Sequence, residues 1–375
     1  MTNKLIQPGQ TIGILGGGQL GRMMATAAKH MGYRIAVLDP KEDCPCAQVA
    51  DHHIIGAYDD REAAQQLLDI SDVITYEFEN VDLSIAEMLE DAAKLPQGAY
   101  PLKVTQNREL EKGVSVEAGL NVPEYAIVQT FDQLKEAAAT IGFPSMLKTV
   151  TGGYDGKGQL KLDAESDLAE AESFIAPDST YIIEAFVPFD REISIIFTRS
   201  QSGDIVYFPI AENIHHNQIL FKTQIPAAIT ADIEAKAQQI AKSIGESMDL
   251  AGTFAIELFV QGDQVFVNEM APRPHNSGHY TIEACNVSQF EQHIRALVGL
   301  PLLPVHTFPA AVMINVLGAQ QKELFRRLEH IEQAHLHDYG KKEARANRKM
   351  GHITFIGESL EQIEQTIEKN NLHSW

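Results

Sequence analysis

The stretch Phe254-Ala255-Ile256-Glu257-Leu258-Phe259-Val260-Gln261-Gly262-Asp263-Gln264-Val265-Phe266-Val267-Asn268-Glu269-Met270 decides the fold. Two apolar runs flank Gly262-Asp263, a hairpin turn signal, so strands are expected over 253–260 and 264–270. Each run is broken by one carboxylate, Glu257 or Glu269. A carboxylate set into an apolar strand is costly unless it is paired or holds a cation. The register leaves two arrangements open. A three-residue loop at 262–264 sets Glu257 opposite Glu269, whereas a two-residue turn sets Asn268 opposite Glu257. The first converges two acidic oxygens, the donor type that Mg²⁺ takes.

Upstream, Lys148 lies on a strand expected over 145–150, followed by Thr151-Gly152-Gly153-Tyr154-Asp155-Gly156-Lys157-Gly158. So many glycines carry a conformational cost that packing does not explain. A mobile loop of this kind can fold its N–H groups over a polyphosphate, with Lys148 and Lys157 supplying charge. The plain alternative is a solvent-exposed hairpin tip. Around this loop the pattern predicts strands at 125–129 and 145–150 flanking a helix at 131–141, then a strand–helix–strand set over 159–187. Antiparallel strands at 193–198 and 205–211 follow, then an amphipathic helix at 229–248. Pro301 and Pro304 open a smaller C-terminal region of mixed strands and helices.

The front of the chain reads as a β-α-β unit with a parallel sheet: a strand at 11–15, a helix at 19–31 and a strand at 34–38. Further strands are expected at 54–55 and 73–76, helices at 61–68 and 83–93, and a boundary near Asn107. Gly16, Gly18 and Gly21 spell G-x-G-x-x-G, and Asp39 closes the second strand about 20 positions on, which alone fits a dinucleotide fingerprint. A tight strand-to-helix turn, or a loop binding some other small polar group at a helix N-terminus, fits as well. The dinucleotide reading leaves 145–280 unexplained.

Composition narrows the partners. The 375 residues carry 30 Lys plus Arg against 51 Asp plus Glu, a net charge of −21. Such a surface repels nucleic acid and anionic membranes unless positive charge gathers in one local site. No apolar run approaches the roughly 20 residues that span a bilayer, and the first residues lack the apolar core of a signal peptide. Three cysteines, Cys44, Cys46 and Cys285, are too few for a disulfide framework. Cys44 and Cys46 are spaced poorly for zinc and read as inert. The expected home is the cytosol.

Lys148, the glycine loop, Glu184-Ala185-Phe186-Val187, and Glu257 with Asn268-Glu269 resemble the ATP-grasp superfamily. Four segments narrow the resemblance: Gly16-Gly17-Gly18-Gln19-Leu20-Gly21-Arg22, the loop from Gly152 to Gly158, Ala271-Pro272-Arg273-Pro274-His275-Asn276-Ser277-Gly278-His279, and Arg348-Lys349-Met350-Gly351-His352. Together they resemble the 5-(carboxyamino)imidazole ribonucleotide synthase family of purine biosynthesis, over nearly the whole chain and in the expected order. The resemblance implies an α/β fold, α+β in part. An N-terminal Rossmann-like domain would occupy 1–107, an ATP-grasp domain 108–300 with a lid at 122–187, and a small C-terminal domain 301–375. The implied reaction uses ATP and bicarbonate to form carboxyphosphate, which carboxylates the amino group of aminoimidazole ribonucleotide. Mg²⁺, or Mn²⁺, would be the metal.

Residue roles follow from the same resemblance. Arg108 and Lys148 would contact ATP, Gly153, Tyr154, Asp155, Gly156, Lys157, Gly158 and Gln159 would form the lid, and Glu184, Ala185, Phe186 and Val187 the hinge against adenine. Glu192 would hold the ribose, and His215 and Asn268 would lie near the nucleotide, with Glu257 and Glu269 as metal ligands. Gln19, Leu20, Glu77, Lys341, Arg348 and Lys349 would bind the ribonucleotide, Glu77 being favoured over Glu79. Arg273, His275 and Asn276 would meet bicarbonate or carboxyphosphate, Arg273 as the charge stabiliser. Tyr154, Asp155 and Lys157, on the lid, complete the catalytic set, with Tyr154 and Asp155 closing over the amine. His216, Lys342 and Arg345 read as surface groups. A homodimer is common in the family, and the product's next user would be the carboxyamino-imidazole ribonucleotide mutase.

Two other activities compete. The formate-dependent glycinamide ribonucleotide formyltransferase shares the three-domain plan, but typically has Glu at the position of Gln19 and Asp at that of Asn276. A non-catalytic ATP-binding protein would have lost a metal carboxylate, and both are present. The segment 342–347 lacks the proline and glycine often found before the Arg-Lys-Met-Gly run, so the phosphate contacts of that loop are left open.

Overall fold

The computed structural model describes residues 5–152 and 158–372. Its first unit is a parallel sheet of β1 (Thr11–Leu15), β2 (Arg34–Leu38), β3 (His52–Ile54) and β4 (Val73–Tyr76), in the order β3-β2-β1-β4. The third strand ends at Ile54 rather than Ile55, which is exposed. The helix Gln19–His30 buries Leu20, Met23, Met24 and Ala28 on one face of this sheet, while Leu67, Ile85 and Leu89 pack on the other. Because β1 has β2 on one side and β4 on the other, the loops leaving β1 and β4 open a crevice at the carboxyl ends of the strands. That is where open α/β sheets bind ligands.

The second unit is a small antiparallel sheet of β5 (Tyr125–Val128), β6 (Ser145–Thr149), β7 (Gln159–Leu162) and β8 (Tyr181–Ala185), ordered β5-β8-β6-β7. Its core is Leu134 and Ala138 of the helix Phe131–Ile141 against Leu147, Tyr181 and Ile183.

The third is a nine-stranded sheet. It holds β9 (Arg191–Arg199), β10 (Ile205–Tyr207), β11 (Ala211–His216), β12 (Ile219–Ile225), β13 (Gly252–Gln261), β14 (Gln264–Ala271), β15 (Ala310–Leu317), β16 (His335–Asp338) and β17 (Lys349–Gly357). The order is β14-β13-β9-β11-β12-β15-β17-β16, with β10 also on β9. The amphipathic helix Ala231–Ser247 buries Ile233, Ile240 and Ile244 against this sheet. The three strands after residue 301 therefore extend the central sheet through β12 and β15, which pair from Lys222↔Ile314 to Ile225↔Ala311.

A buried polar chain ties the first unit to the third. Thr253 N–H donates to His293 Nδ1 at 2.9 Å, so the proton sits on Nε2, which donates to Thr75 Oγ1 at 2.9 Å. Thr75 in turn donates to Gln97 Oε1 at 2.6 Å, and Gln97 donates to the Pro272 carbonyl, one residue before Arg273. Burial holds the His293 pKa down at about 3, which keeps the ring neutral for this role. Among the described residues, no helix is long and apolar enough to cross a membrane.

Candidate active site

The hairpin reaches the paired carboxylates by a route that neither simple register describes. The turn is the two-residue Gly262-Asp263, since Gln261 pairs with Gln264 and Leu258 with Val267. A bulge then inserts Asn268, and Glu257 pairs with Glu269 after all. A bulge sets two residues of one strand against one of the other. Of the two arrangements left open, the turn is the two-residue one, yet the bulge gives the facing carboxylates of the other. Burial, and after it the charges of Glu192 and Glu269, push the Glu257 carboxyl well above its ordinary range.

The helix Arg108–Glu117 runs along the outer edge of β14. Asn107 caps it by accepting from Glu109 and Leu110 N–H, and Arg108 comes within 3.5 Å of Glu269. Lys148, on β6, donates to Glu184 Oε2 on β8 at 2.7 Å. Burial alone would raise the Glu184 pKa, but Lys112 and Lys148 overcome it and hold the carboxyl at about 2. Ala185, Phe186 and Val187 continue from β8, with Phe186 partly exposed beneath Lys161, 4.9 Å from its ring centroid. His215 Nδ1 lies 3.2 Å from Glu192, and Gln159 donates to Gln218 at 2.9 Å. Gly153, Tyr154, Asp155, Gly156 and Lys157 lie outside the described residues, and Gly158 bonds back to Thr149.

The glycine loop after β1 is occupied by the chain itself. Glu77, buried after β4, accepts from Gly21 N–H at 2.6 Å and from Gly18 N–H. Its carboxylate sits on the helix N-terminus, where a dinucleotide fingerprint would place pyrophosphate. A Cβ at Gly18 would lie 2.5 Å from Glu77 Oε1, and Gly16 has φ +98°, so both positions need glycine. Gly18→Ala is therefore expected to expel the carboxylate and cost about 2 kcal/mol. Chemical denaturation checks this, and an unchanged midpoint refutes it.

Glu79 pairs with Arg273, through Nε at 2.6 Å and a terminal nitrogen at 2.5 Å. His275 Nδ1 accepts from Ser277 N–H, so its proton is on Nε2, 3.7 Å from Glu257. Burial, then the charge of Arg273, hold the His275 pKa well below its ordinary value, and the ring is neutral. Asn276 and Asn315 exchange reciprocal amide hydrogen bonds of 2.7 and 3.0 Å. Lys341 donates to the Lys349 carbonyl at 2.6 Å, and Arg348 to Glu343 O at 3.0 Å. In place of proline and glycine, the loop before Lys349 is braced by the start of the helix Gly318–Arg326: Gly318 N–H donates to Arg348 O at 2.9 Å and Ala319 to Ala346 O at 3.2 Å. Lys342 and Arg345 are exposed and pair with Asp43 and Glu343, and His216 stacks on Phe221. Cys44 and Cys46 are buried, and burial pushes the Cys44 thiol up to about 11.

One cavity of about 730 Å³ joins these groups. Every described residue to which the resemblance gives a site role, except Gly158, lines it, from Gln19, Leu20, Glu77 and the Lys341–Arg348–Lys349 cations to Lys148, Glu184 and the facing glutamates. Residues 9–106 match the ribonucleotide synthetase preATP-grasp domain, 114–290 the ATP-grasp domain, and 311–366 the phosphoribosylaminoimidazole carboxylase C-terminal domain. The N5-carboxyaminoimidazole ribonucleotide synthase of Bacillus subtilis (strain 168) is 48% identical over 98% of this chain and 97% of its own length.

The chain belongs to the N5-carboxyaminoimidazole ribonucleotide synthase family.

Solved structures agree. An N5-carboxyaminoimidazole ribonucleotide synthetase crystallised as its ADP complex superposes with a TM-score of 0.96 at 49% identity, covering 100% of this chain and 99% of that one. The Aspergillus clavatus N5-carboxyaminoimidazole synthase, in complex with ADP and 5-aminoimidazole ribonucleotide, superposes with a TM-score of 0.91 at 29% identity, with 98% of each chain covered. Against this N5-carboxyaminoimidazole ribonucleotide synthase background, several groups at the site had escaped the sequence reading. Lys112 and Glu111 are buried behind the hairpin, Asn315 holds Asn276, and Phe189 stacks on Phe259 at 4.6 Å along the cavity wall. The helix spacing 108, 111, 112 is the one signal that could have found the first two.

Proposed function

We propose that this protein carboxylates the amino group of 5-aminoimidazole ribonucleotide, using ATP and bicarbonate, in de novo purine biosynthesis. The single observation that carries the reading is the shared cavity. It has facing carboxylates and a Lys148–Glu184 pair at one side, and Gln19 with a cluster of three cations at the other. ATP phosphorylates bicarbonate to carboxyphosphate, releasing ADP. The ribonucleotide amine then attacks the carbonyl carbon, phosphate leaves, and the amine loses a proton to give the carbamate. Gln19 and Asn276 favour this acceptor over glycinamide ribonucleotide.

Glu257 and Glu269 fit a divalent cation. Their oxygens are the hard donors that Mg²⁺ or Mn²⁺ takes, and the two residues face each other across the bulged hairpin at the cavity. Bound there, the metal would neutralise phosphate charge during transfer. Lys148 and Arg108 would orient the phosphates, and Glu192 with His215 the ribose side. Arg273, neutral His275 as an Nε2–H donor, and Asn276 would stabilise the carboxyphosphate oxygens. Tyr154, Asp155 and Lys157 belong to the lid in this reading. Excluding water there would protect carboxyphosphate from hydrolysis.

Lys341, Arg348 and Lys349 would hold the ribonucleotide phosphate. Lys341→Ala is expected to raise the ribonucleotide KM about tenfold or more while that for ATP changes less than twofold, by loss of one phosphate contact. Steady-state kinetics with each substrate varied checks this, and equal effects on both would remove Lys341 from the phosphate site.

The same reading divides the chain at 107 and 300, with a lid at 122–187. It places the protein in the cytosol, makes it a homodimer, which light scattering would check, and gives its product to a mutase. The deciding experiment measures ADP release from ATP and Mg²⁺ with aminoimidazole ribonucleotide and bicarbonate each added or withheld. Release that needs both is expected. Unchanged release in carbonate-depleted buffer, or stimulation only by glycinamide ribonucleotide and formate, would overturn the assignment.

A further inference from the structure

We propose that Lys112 is a positioning residue of the nucleotide half of the site: one buried ammonium holds both the bulged strand that sets Glu269 opposite Glu257 and the Glu184 carboxylate that orients Lys148. The inference rests on the nucleotide reading above and adds a residue that does not line the cavity.

Lys112 is 1% exposed. Its Nζ donates to Asn268 O at 3.0 Å and to Val267 O at 3.3 Å, and lies 3.5 Å from Glu184 Oε1. Two of its N–H groups thus donate to backbone carbonyls, and the ammonium faces the Glu184 carboxylate as a buried ion pair. Burying an ammonium costs several kcal/mol, and an apolar side chain of similar volume would fill the same space without that cost. Packing alone therefore does not account for a lysine here.

Its acceptors do. Val267 and Asn268 are the residues at the bulge, on a strand at the sheet's edge whose outer carbonyls have no neighbouring strand. One residue along the helix, Glu111 accepts from Met270 N–H at 2.6 Å. Lys112 and Glu111 thus bracket Glu269, one gripping the carbonyls before it and the other the N–H after it. A slip of the bulge by one residue would turn Glu269 to the opposite face of the strand. Glu184 is the ionic partner of Lys112 through Oε1, and its other oxygen accepts from Lys148 at 2.7 Å. The Lys112 charge therefore fixes the carboxylate that aims Lys148 into the cavity.

The test is calorimetric titration of ADP into the full-length protein, with and without Mg²⁺, for wild type and Lys112→Met, each checked for folding by circular dichroism. For Lys112→Met, ADP is expected to bind at least tenfold more weakly, equal to about 1.4 kcal/mol. The tightening that Mg²⁺ brings should shrink at least threefold, while the ribonucleotide KM stays within twofold. Lys112→Gln keeps donors for the two carbonyls and deletes the charge, and it carries the test if the methionine variant does not fold. It should retain the Mg²⁺ effect within twofold yet bind ADP at least threefold more weakly. A folded variant that binds ADP within twofold of wild type under both conditions overturns the proposal. So does a ribonucleotide KM that rises as much as ADP binding falls, since that marks general loosening. A wild type that binds ADP but releases none when ribonucleotide and bicarbonate are added overturns the acceptor assignment instead, and the comparison at Lys112 still decides the positioning role.

Discussion

Glu269→Ala is expected to lower ribonucleotide-dependent ADP release by about three orders of magnitude, or about 4 kcal/mol of barrier, while the protein stays folded. The Glu269 side chain is half exposed on an edge strand, so its removal takes little packing with it. What goes is one of two facing carboxylates on a structure that Glu111, Lys112 and the bulge hold in register. Glu257 would remain, more buried and with half the donor charge. A coupled assay of ADP formation alongside a thermal melt checks this, and near-wild-type turnover in a folded variant would take Glu269 out of the metal site.

The second large effect is expected at Arg273. Arg273→Ala should cut turnover by about two to three orders of magnitude, the usual cost of losing a charge stabiliser of an anionic intermediate. Glu79 holds the guanidinium through two nitrogens at 2.5 and 2.6 Å, and the Thr253–His293–Thr75–Gln97 chain anchors the adjoining Pro272 carbonyl. Glu79→Gln removes the partner's charge and keeps its shape, so it should cost about tenfold at most if the arginine is the group that meets the intermediate. Single-turnover measurement of both variants separates the cases. Equal losses would mean that the pair works as one structural unit, and Arg273 would lose its assigned role.

What could be read from the sequence was what local chemistry dictates. Alternating apolar residues, Gly262-Asp263 and two misplaced carboxylates announce the hairpin, and a strand–glycine–helix opening announces the parallel sheet. The bulge at Asn268 was beyond that reading. Nothing local distinguishes an extra residue in a strand from a longer loop, and either sets Glu257 opposite Glu269. The G-x-G-x-x-G loop stayed ambiguous for a similar reason. What fills it, Glu77, comes from 56 residues further along than Gly21, and only the fold brings the two together. Lys112 was passed over because no helix is announced after Asn107 in the sequence, and the residue's burial comes from a strand 155 residues away. The join of β12 to β15 was hidden as well, since the prolines after residue 300 suggest a separate small domain.

That join changes how the two halves of the site relate. From β13, which carries Glu257, to β17, which begins at Lys349, the sheet makes five steps, through β9, β11, β12 and β15. At roughly 20–25° of twist per step the strands turn through about 100–125°. The acidic hairpin and the cations nevertheless line one cavity, close enough for Lys349 to act on the Glu257 charge. The strands that carry the acidic hairpin and Lys349 thus belong to one continuous sheet. Cutting the chain after residue 300 would strip β12 of a neighbour and leave a raw sheet edge, so β15 to β17 are an integral part of the central sheet and not a detachable appendage.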